Sequence, residues 1–285
     1  MRFKGKHVSN ASIKLNTGTR IPVIGFGTWK LEGRDVFEPL LHALDAGYRH
    51  IDTASMYKND FYIGRAIKDS GVDRKDLFIT TKIFFGGEIE NPREALETQL
   101  RMLGTDYVNL YLIHFPVEGH VELWEKLVEL KKDGLCRDIG VSNFVNRHLE
   151  RVIEASHTLP AVNQVEYHPH FQQKEVLDYC RKKGIVVEAY CPLGQGRLLL
   201  TDFKLRDVAS HYGKTPAQVM LRWALQHGMV VLPSSSKEAH IRENADVFSF
   251  ELNDEHMQDL DYFHHPANRT CWHPDAPEHR GRTGE

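Results

Sequence analysis

Eight short β-branched runs punctuate this chain, and the stretches between them read as helices that stop at glycine. The runs are VIGFG (23–27), YRHID (48–52), LFITTK (77–82), YVNLYLI (107–113), RDIGVS (137–142), AVNQVE (161–166), IVVEAY (185–190) and MVVLP (229–233). Most are apolar throughout rather than alternating, as strands covered on both faces of a parallel sheet must be. Between them, DVFEPLLHALDAG sets Val36, Leu40, Ala43 and Leu44 on one helical face. NPREALETQLRMLG opens on Asn91, Pro92 and Glu94, and TPAQVMLRWALQHG opens on Thr215 and Pro216, both with proline at the first helical position. Helices end at Gly47, Gly104, Gly134, Gly184 and Gly228, where left-handed backbone turns the chain back.

Eight strand–helix units predict an α/β fold of the (β/α)8 TIM-barrel type. The rival is an open doubly wound sheet. Its dinucleotide fingerprint fails in GFGTWK (25–30), because Lys30 stands where a third glycine is needed and no helix opens there. SIKLNTGTRIPV (12–23) reads as a hairpin turning at Asn16–Thr17–Gly18 and closing the barrel bottom. No linker divides the chain, so residues 1–285 read as one barrel domain, with 1–22 as the hairpin segment and 264–285 as a C-terminal substrate loop and tail.

A net charge of −3 gives no general attraction to nucleic acid or membrane. No apolar run reaches membrane-spanning length, and MRFKGKHVSN lacks a signal-peptide core. Cys136, Cys180, Cys191 and Cys271 are scattered, as suits free thiols in a reducing compartment, and a cytoplasmic location is expected. Cys191 beside Tyr190 reads either as an oxidisable thiol or, the favoured reading, as an inert buried one. The four histidines between 264 and 279 lack ligand spacing, so no metal site is expected.

Barrel chemistry lies at the C-terminal strand ends. Those ends carry Asp52 with Tyr57 just beyond, Lys82, His114, Ser142 with Asn143, Gln164 with Glu166, and Tyr190. Singly, each has a plain role as cap, solvated end or hydrogen-bonded core group. Together, Tyr57, Lys82, Asp52 and His114 form a proton-transfer unit. Tyrosine titrates at about 10; an ammonium beside it favours the phenolate, so Lys82 is expected to lower Tyr57 and ease donation. Asp52 would hold Lys82, and His114 would orient a substrate oxygen. Such a cluster suits protonating a carbonyl oxygen while a nicotinamide supplies hydride.

The segments GYRHIDTASMYKND (47–60), TTK (80–82), YLIHFP (111–116), IGVSNF (139–144), VNQVEYHP (162–169) and LPSSSKEAHIREN (232–244) resemble the aldo-keto reductase family, in order, across nearly the whole chain. The resemblance, strongest to its short-loop bacterial and protozoan members, implies a monomeric (β/α)8 barrel binding an extended NADP(H), with Tyr57 as general acid. It implies that Ser142, Asn143 and Gln164 hold the nicotinamide amide and that Tyr190 stacks on the ring. Thr28, Trp29 and Asp52 would adjoin the cofactor. CPLGQGRLLL (191–200), through Pro192, Leu193, Gly194, Gln195 and Gly196, would lie along the pyrophosphate. Trp29, Tyr57, Phe84, His114, Phe115 and Trp272 would bound the substrate pocket, with His273 a further candidate over it; Phe84 and Phe115 stand where many relatives have tryptophan. Ser234, Ser235, Ser236, His240, Glu243 and Asn244 would take the adenosine end. The family's usual lysine and arginine are absent at Ser234 and His240. Lys237 is a partial substitute, so NADPH is expected with NADH also accepted. Ser235 and Glu238 also spell a helix capping box.

The function implied is reduction of small-molecule aldehydes or ketones. Two alternatives stand beside it: a non-catalytic structural or regulatory relative, and a different barrel enzyme such as a phosphosugar isomerase or glycosidase. The full tetrad weighs against the first. A glycosidase needs paired acidic strand ends, and Glu166 is the only obvious partner for Asp52, which weighs against that reading.

Overall fold

The computed structural model of the chain describes residues 8, 11–84, 87–196 and 202–275. The expected positions 197–200 of the strand-seven loop and 276–285 of the tail lie outside the described residues, as do 1–7, 9 and 10 of the N-terminal segment. Among the described residues ten strands run as β1 (Ser12–Lys14), β2 (Arg20–Pro22), β3 (Phe26–Gly27), β4 (His50–Asp52), β5 (Phe78–Ile83), β6 (Val108–Ile113), β7 (Cys136–Ser142), β8 (Val162–Glu166), β9 (Val186–Tyr190) and β10 (Val230–Leu232). Strands β3 to β10 form one parallel sheet in chain order. Its first and last edges meet, because Val231 N–H donates to the Val23 carbonyl at 2.9 Å and Gly25 N–H to that of Val231 at 2.9 Å. That pairing closes the sheet into the expected barrel, so it presents no free edge.

Helices α1 (Phe37–Asp45), α2 (Asp60–Ser70), α3 (Gly87–Glu90), α4 (Pro92–Leu103), α5 (His120–Lys132), α6 (Asn146–Ser156), α7 (Lys174–Lys183), α8 (Phe203–His211), α9 (Pro216–Gln226), α10 (Glu238–Ala245) and α11 (Asp254–Asp261) lie among and after the barrel strands. The face read from sequence is the buried one, with Leu40, Ala43 and Leu44 of α1 shielded together with Val36 of the 3-10 turn just before it. The strand interiors are shielded on both faces, which is why they lack alternation. Gly104 and Gly184 end α4 and α7 in left-handed geometry, at φ 66° and 72°. Thr215 forms a capping box with Gln218 at the start of α9.

The hairpin pairs β1 with β2 antiparallel in the register Ile13↔Ile21. It sits at the N-terminal strand ends, where Asn16 Nδ2 donates to the Pro160 carbonyl at 2.9 Å, two residues before β8. The opposite end therefore carries the loops that can hold a site. One local expectation fails. Helix α10 begins at Glu238 with Lys237, not Ser235, as its N-cap, so the Ser235–Glu238 capping box does not form. Ser235 Oγ instead accepts from Lys237 N–H at 3.0 Å, a tight hydroxyl turn that bends the chain at Ser236 and Lys237 before the helix starts. Among the described residues no helix is long and apolar enough to cross a membrane.

Candidate active site

Strand register fixes the centre of the site. Asp52 ends β4 opposite Thr80 of β5, so Lys82 lies one inward-facing step further along. Lys82 is fully buried and gives Nζ protons to Asp52 Oδ1 at 2.5 Å and the Thr53 carbonyl at 2.9 Å, with the Tyr57 hydroxyl at 3.5 Å. A lone buried ammonium would be untenable; here it is paired and hydrogen-bonded. Tyr57 reaches it from a 3-10 turn over Ser55–Tyr57. That turn is tied down by Ser55 Oγ donating to Glu88 at 2.8 Å and by buried Asn59, whose Nδ2 donates to the Leu31 carbonyl at 2.8 Å. His114, just past β6, packs edge-on against Tyr57 with ring centroids 5.8 Å apart.

The protonation states follow from burial. Tyr57 is not lowered by Lys82, as the sequence suggests, but held well above the ordinary phenol value, first by burial, then by the Asp52 charge and the two nearby cysteines. Burial is the main reason, since it penalises a phenolate, and the Asp52 charge adds to it. The phenol is thus protonated across the physiological range, the state a proton donor needs. Burial, with Lys82 beside it, drives His114 well below the usual imidazole value, so its ring is neutral. Its Nδ1 is buried without a partner, which favours the tautomer with the proton on Nε2, leaving only a lone pair unsatisfied.

A cavity of about 480 Å³ opens over this group, lined by Asp52, Tyr57, His114, Asn143, Gln164 and Tyr190 at its base. Trp29, Phe115 and Trp272 line it on one side, and Pro192, Leu193, Gln195, Ser234 and Ser236 on another. Phe84 stands behind that wall, packed on His114 and Phe115 at 5.2 and 6.2 Å. Asn143, at a positive φ of 65°, gives Nδ2 protons to the His114 carbonyl at 3.0 Å and Ser142 Oγ at 3.1 Å, and accepts from Tyr190 at 2.7 Å. Ser142 is buried and donates to the Gln164 carbonyl at 2.9 Å. Gln164 Nε2 bridges Asp52 Oδ2 at 2.8 Å and Glu188 Oε2 at 2.9 Å. Thr28 is buried, its hydroxyl donating to the Asp52 carbonyl at 2.9 Å.

At the far end, Ser234, Ser236 and His240 are exposed, Glu243 is half-buried and Asn244 buried. Glu243 accepts from Thr215 Oγ1 at 2.8 Å. Arg242, the nearest fixed cation on α10, is committed to Glu238 at 2.9 Å and Asp45 at 2.6 Å. Gly194 and Gly196 hold left-handed backbone in the loop after β9. His273 is exposed and lies outside the cavity wall.

Three residues have roles here that the sequence did not assign. Lys30 reaches across the cavity to Gln195 Oε1 at 3.0 Å. Glu166, far from being an acid partner for Asp52, binds the C-terminal loop: Thr270 N–H and hydroxyl at 2.6 and 2.7 Å, and Cys271 N–H at 3.0 Å. Against burial, these bonds and His168 keep its carboxyl below the usual value. Glu188 is fully buried, and burial with the Asp52 charge raises it to about 8. A charged residue inside the apolar run IVVEAY was the available signal for it.

The donor set fits a nicotinamide nucleotide. Tyr190 offers a flat face beside amide-bearing Asn143 and Gln164, and serines line the same cavity near the start of α10. Residues 23–264 match the profile of the Aldo/keto reductase family. The chain is 46% identical over 253 residues to the glyoxal reductase of Bacillus subtilis, covering 88% of this chain and 91% of that protein. It is 42% identical over 252 residues to methylglyoxal reductase DkgA of Escherichia coli K12, covering 87% and 91%. An aldo-keto reductase (AKR2E5) solved in complex with NADPH superposes with a TM-score of 0.86 at 34% identity, over 92% of this chain and 89% of that one. By fold, by the grouping at its strand ends and by these likenesses, the chain belongs to the aldo/keto reductase family of oxidoreductases.

Proposed function

We propose that this oxidoreductase reduces aldehyde and ketone carbonyls to alcohols, with Tyr57 donating the proton to the carbonyl oxygen. The observation that carries the reading is the buried Asp52–Lys82 pair 3.5 Å from a protonated Tyr57 hydroxyl, at the base of an open cavity. Asn143 and Gln164 would hold the nicotinamide, Ser142 would brace them, and Tyr190 would back the ring. Bound there, the reduced nicotinamide supplies the hydride. Neutral His114 donates Nε2–H to the carbonyl oxygen and so selects the face presented. As charge develops on that oxygen, Tyr57 releases its proton and Lys82 stabilises the phenolate left behind. The named activities of the two bacterial relatives support small 2-oxoaldehydes as substrates.

NADPH is the expected reductant, supported by the NADPH-bound family member, with NADH also accepted. No fixed cation stands at Ser234 or His240, and Arg242 is occupied by two carboxylates. Each charge-assisted phosphate bond is worth about 1.5–3 kcal/mol, so two fewer cancel most NADPH preference. Tyr57→Phe should lower kcat for methylglyoxal by about 10²–10⁴-fold while leaving NADPH binding, followed by fluorescence titration, nearly unchanged. Full activity in that variant refutes the mechanism. Binding of NADPH with no turnover of any carbonyl by the native chain supports the non-catalytic alternative instead.

A further inference from the structure

Cys191 and Cys271 are 80 positions apart in sequence, yet their Sγ atoms lie 3.3 Å apart on the wall of the cavity. Each sits on a different loop of the rim. Cys191 follows Tyr190 at the end of β9, at a positive φ of 45°, and starts the loop through Gln195. Cys271 precedes Trp272, whose ring lies 6.1 Å from Phe115 over the substrate side. The two loops are otherwise joined by side-chain hydrogen bonds: Gln195 Nε2 donates to the Thr270 carbonyl at 2.9 Å and to Cys271 Sγ at 3.6 Å.

We propose that Cys191 and Cys271 are a dithiol modification site, oxidised by peroxides to a disulfide that straps the C-terminal loop to the loop after β9 and restrains ligand passage. The two thiols are not equivalent. Cys271 receives the Gln195 N–H, and Gln195 is itself polarised by Lys30 at 3.0 Å on its Oε1. Among the described residues only Cys271 of the two receives a nitrogen donor on its sulfur, which favours its thiolate. Cys271 is therefore the attacking thiolate and Cys191 the resolving thiol. In the first step the Cys271 thiolate attacks the peroxide oxygen, the O–O bond breaks, and a sulfenic acid and hydroxide form. In the second, Cys191 sulfur attacks that sulfenic sulfur, the S–S bond forms and water leaves. The pair loses two electrons and two protons, and the peroxide is reduced to two water equivalents. An external dithiol reverses it by exchange. Both thiols line the cavity and are reachable, whereas Cys136 and Cys180 are buried and their thiols are pushed up to about 12 and about 11 by burial.

The kinetic consequence rests on the proposed reductase activity, but the chemistry is read without it. Full-length protein is treated with hydrogen peroxide, alkylated and mapped by non-reducing peptide mass spectrometry. The expected product is a linked Cys191–Cys271 peptide lacking two hydrogens, with Cys136 and Cys180 still alkylatable. Cys191→Ser should yield no link and a dimedone-reactive Cys271. Native kcat with methylglyoxal should fall by about tenfold on oxidation and recover with dithiothreitol, because loop opening limits ligand exchange. Neither Cys191→Ser nor Cys271→Ser should show that reversible loss relative to its own untreated state. Absence of the linked peptide while Cys271 is oxidised overturns the site. A linked peptide with unchanged kcat in an active enzyme overturns the strap. An enzyme inactive before treatment tests only the reductase reading, and the linked peptide then still decides the site.

Discussion

Glu188→Gln should remove a loss of folding stability that the native chain undergoes as pH rises through the neutral range. Glu188 is wholly buried, with Oε2 accepting from Gln164 at 2.9 Å and Oε1 without a partner. His50 offers no counter-charge, because burial first and Lys82 second lower it to about 3, and its Nε2 bonds Thr80 Oγ1 at 3.0 Å. The carboxyl is therefore raised from 4.5 to about 8. Below its unfolded value both states hold the proton, and the stability associated with this site is complete. As pH rises toward the folded value, the unfolded chain has lost its proton while the folded chain keeps it, so folding stability falls. At about 1.4 kcal/mol for each pH unit of that window the ceiling is about 5 kcal/mol, and water entry around the ionised form reduces it to roughly 3–5 kcal/mol. Glutamine keeps the acceptor for Gln164 and cannot ionise. Native and variant proteins should match near pH 5, and the variant should melt about 10 °C higher near pH 8.5. Thermal melts by circular dichroism at several pH values measure this. Parallel curves for the two proteins refute the assignment of a protonated Glu188. The same ionisation places a second negative charge on the Gln164 amide, so native kcat/KM should fall above about pH 8 more steeply than the variant's.

Glu166→Gln removes one carboxylate oxygen from the Thr270–Cys271 backbone and leaves a donor unpaired at a cost of about 1–3 kcal/mol. It should speed proteolysis of the C-terminal loop and raise KM several-fold with little change in kcat; an unchanged digestion rate contradicts the clamp. Ser234→Lys combined with His240→Arg should raise the NADPH-to-NADH ratio of kcat/KM by about 10²-fold or more, from two charge-assisted phosphate bonds. A native preference for NADPH already above about 10²-fold, or about 2.7 kcal/mol, contradicts the weakened phosphate subsite.

What was legible in the sequence was whatever local pattern fixes. Each barrel strand falls within one residue of its β-branched run, β5 and β7 each overrunning by one, and the five terminal glycines all take positive φ, because strand burial and helix termination are decided by neighbours in the chain. Asp52, Lys82 and His114 could be named because a barrel brings polar strand ends together whatever its loops do. The tyrosine's titration could not, since its direction depends first on burial, which the whole fold sets, and then on the Asp52 charge. Glu166 could be read only as a polar strand end, because its three donors come from a C-terminal loop more than a hundred residues away. The Cys191–Cys271 contact lies beyond any spacing rule, because it joins a strand end to a loop whose course depends on that same glutamate. Ser235 shows the converse: a correct local signature defeated by a competing local bond two residues on.

The charge balance of the buried cluster accounts for why these particular residues can coexist. Lys82 and Asp52 cancel; Glu188, His50, His114 and Tyr57 are each held neutral by burial, acting with the charges beside them. The cluster therefore carries little net charge before reaction, which keeps its desolvation cost tolerable. On the proposed mechanism the first uncompensated charge appears only when Tyr57 gives up its proton, and it appears beside an ammonium already fixed by Asp52 and the Thr53 carbonyl. No side chain has to reorient to meet it. An ammonium left mobile, or a Glu188 ionised in advance, would respond to the ground state as strongly as to the transition state and lose the rate advantage. The protonated Glu188 is thus part of the same electrostatic arrangement as the tetrad, although it touches none of the reacting atoms.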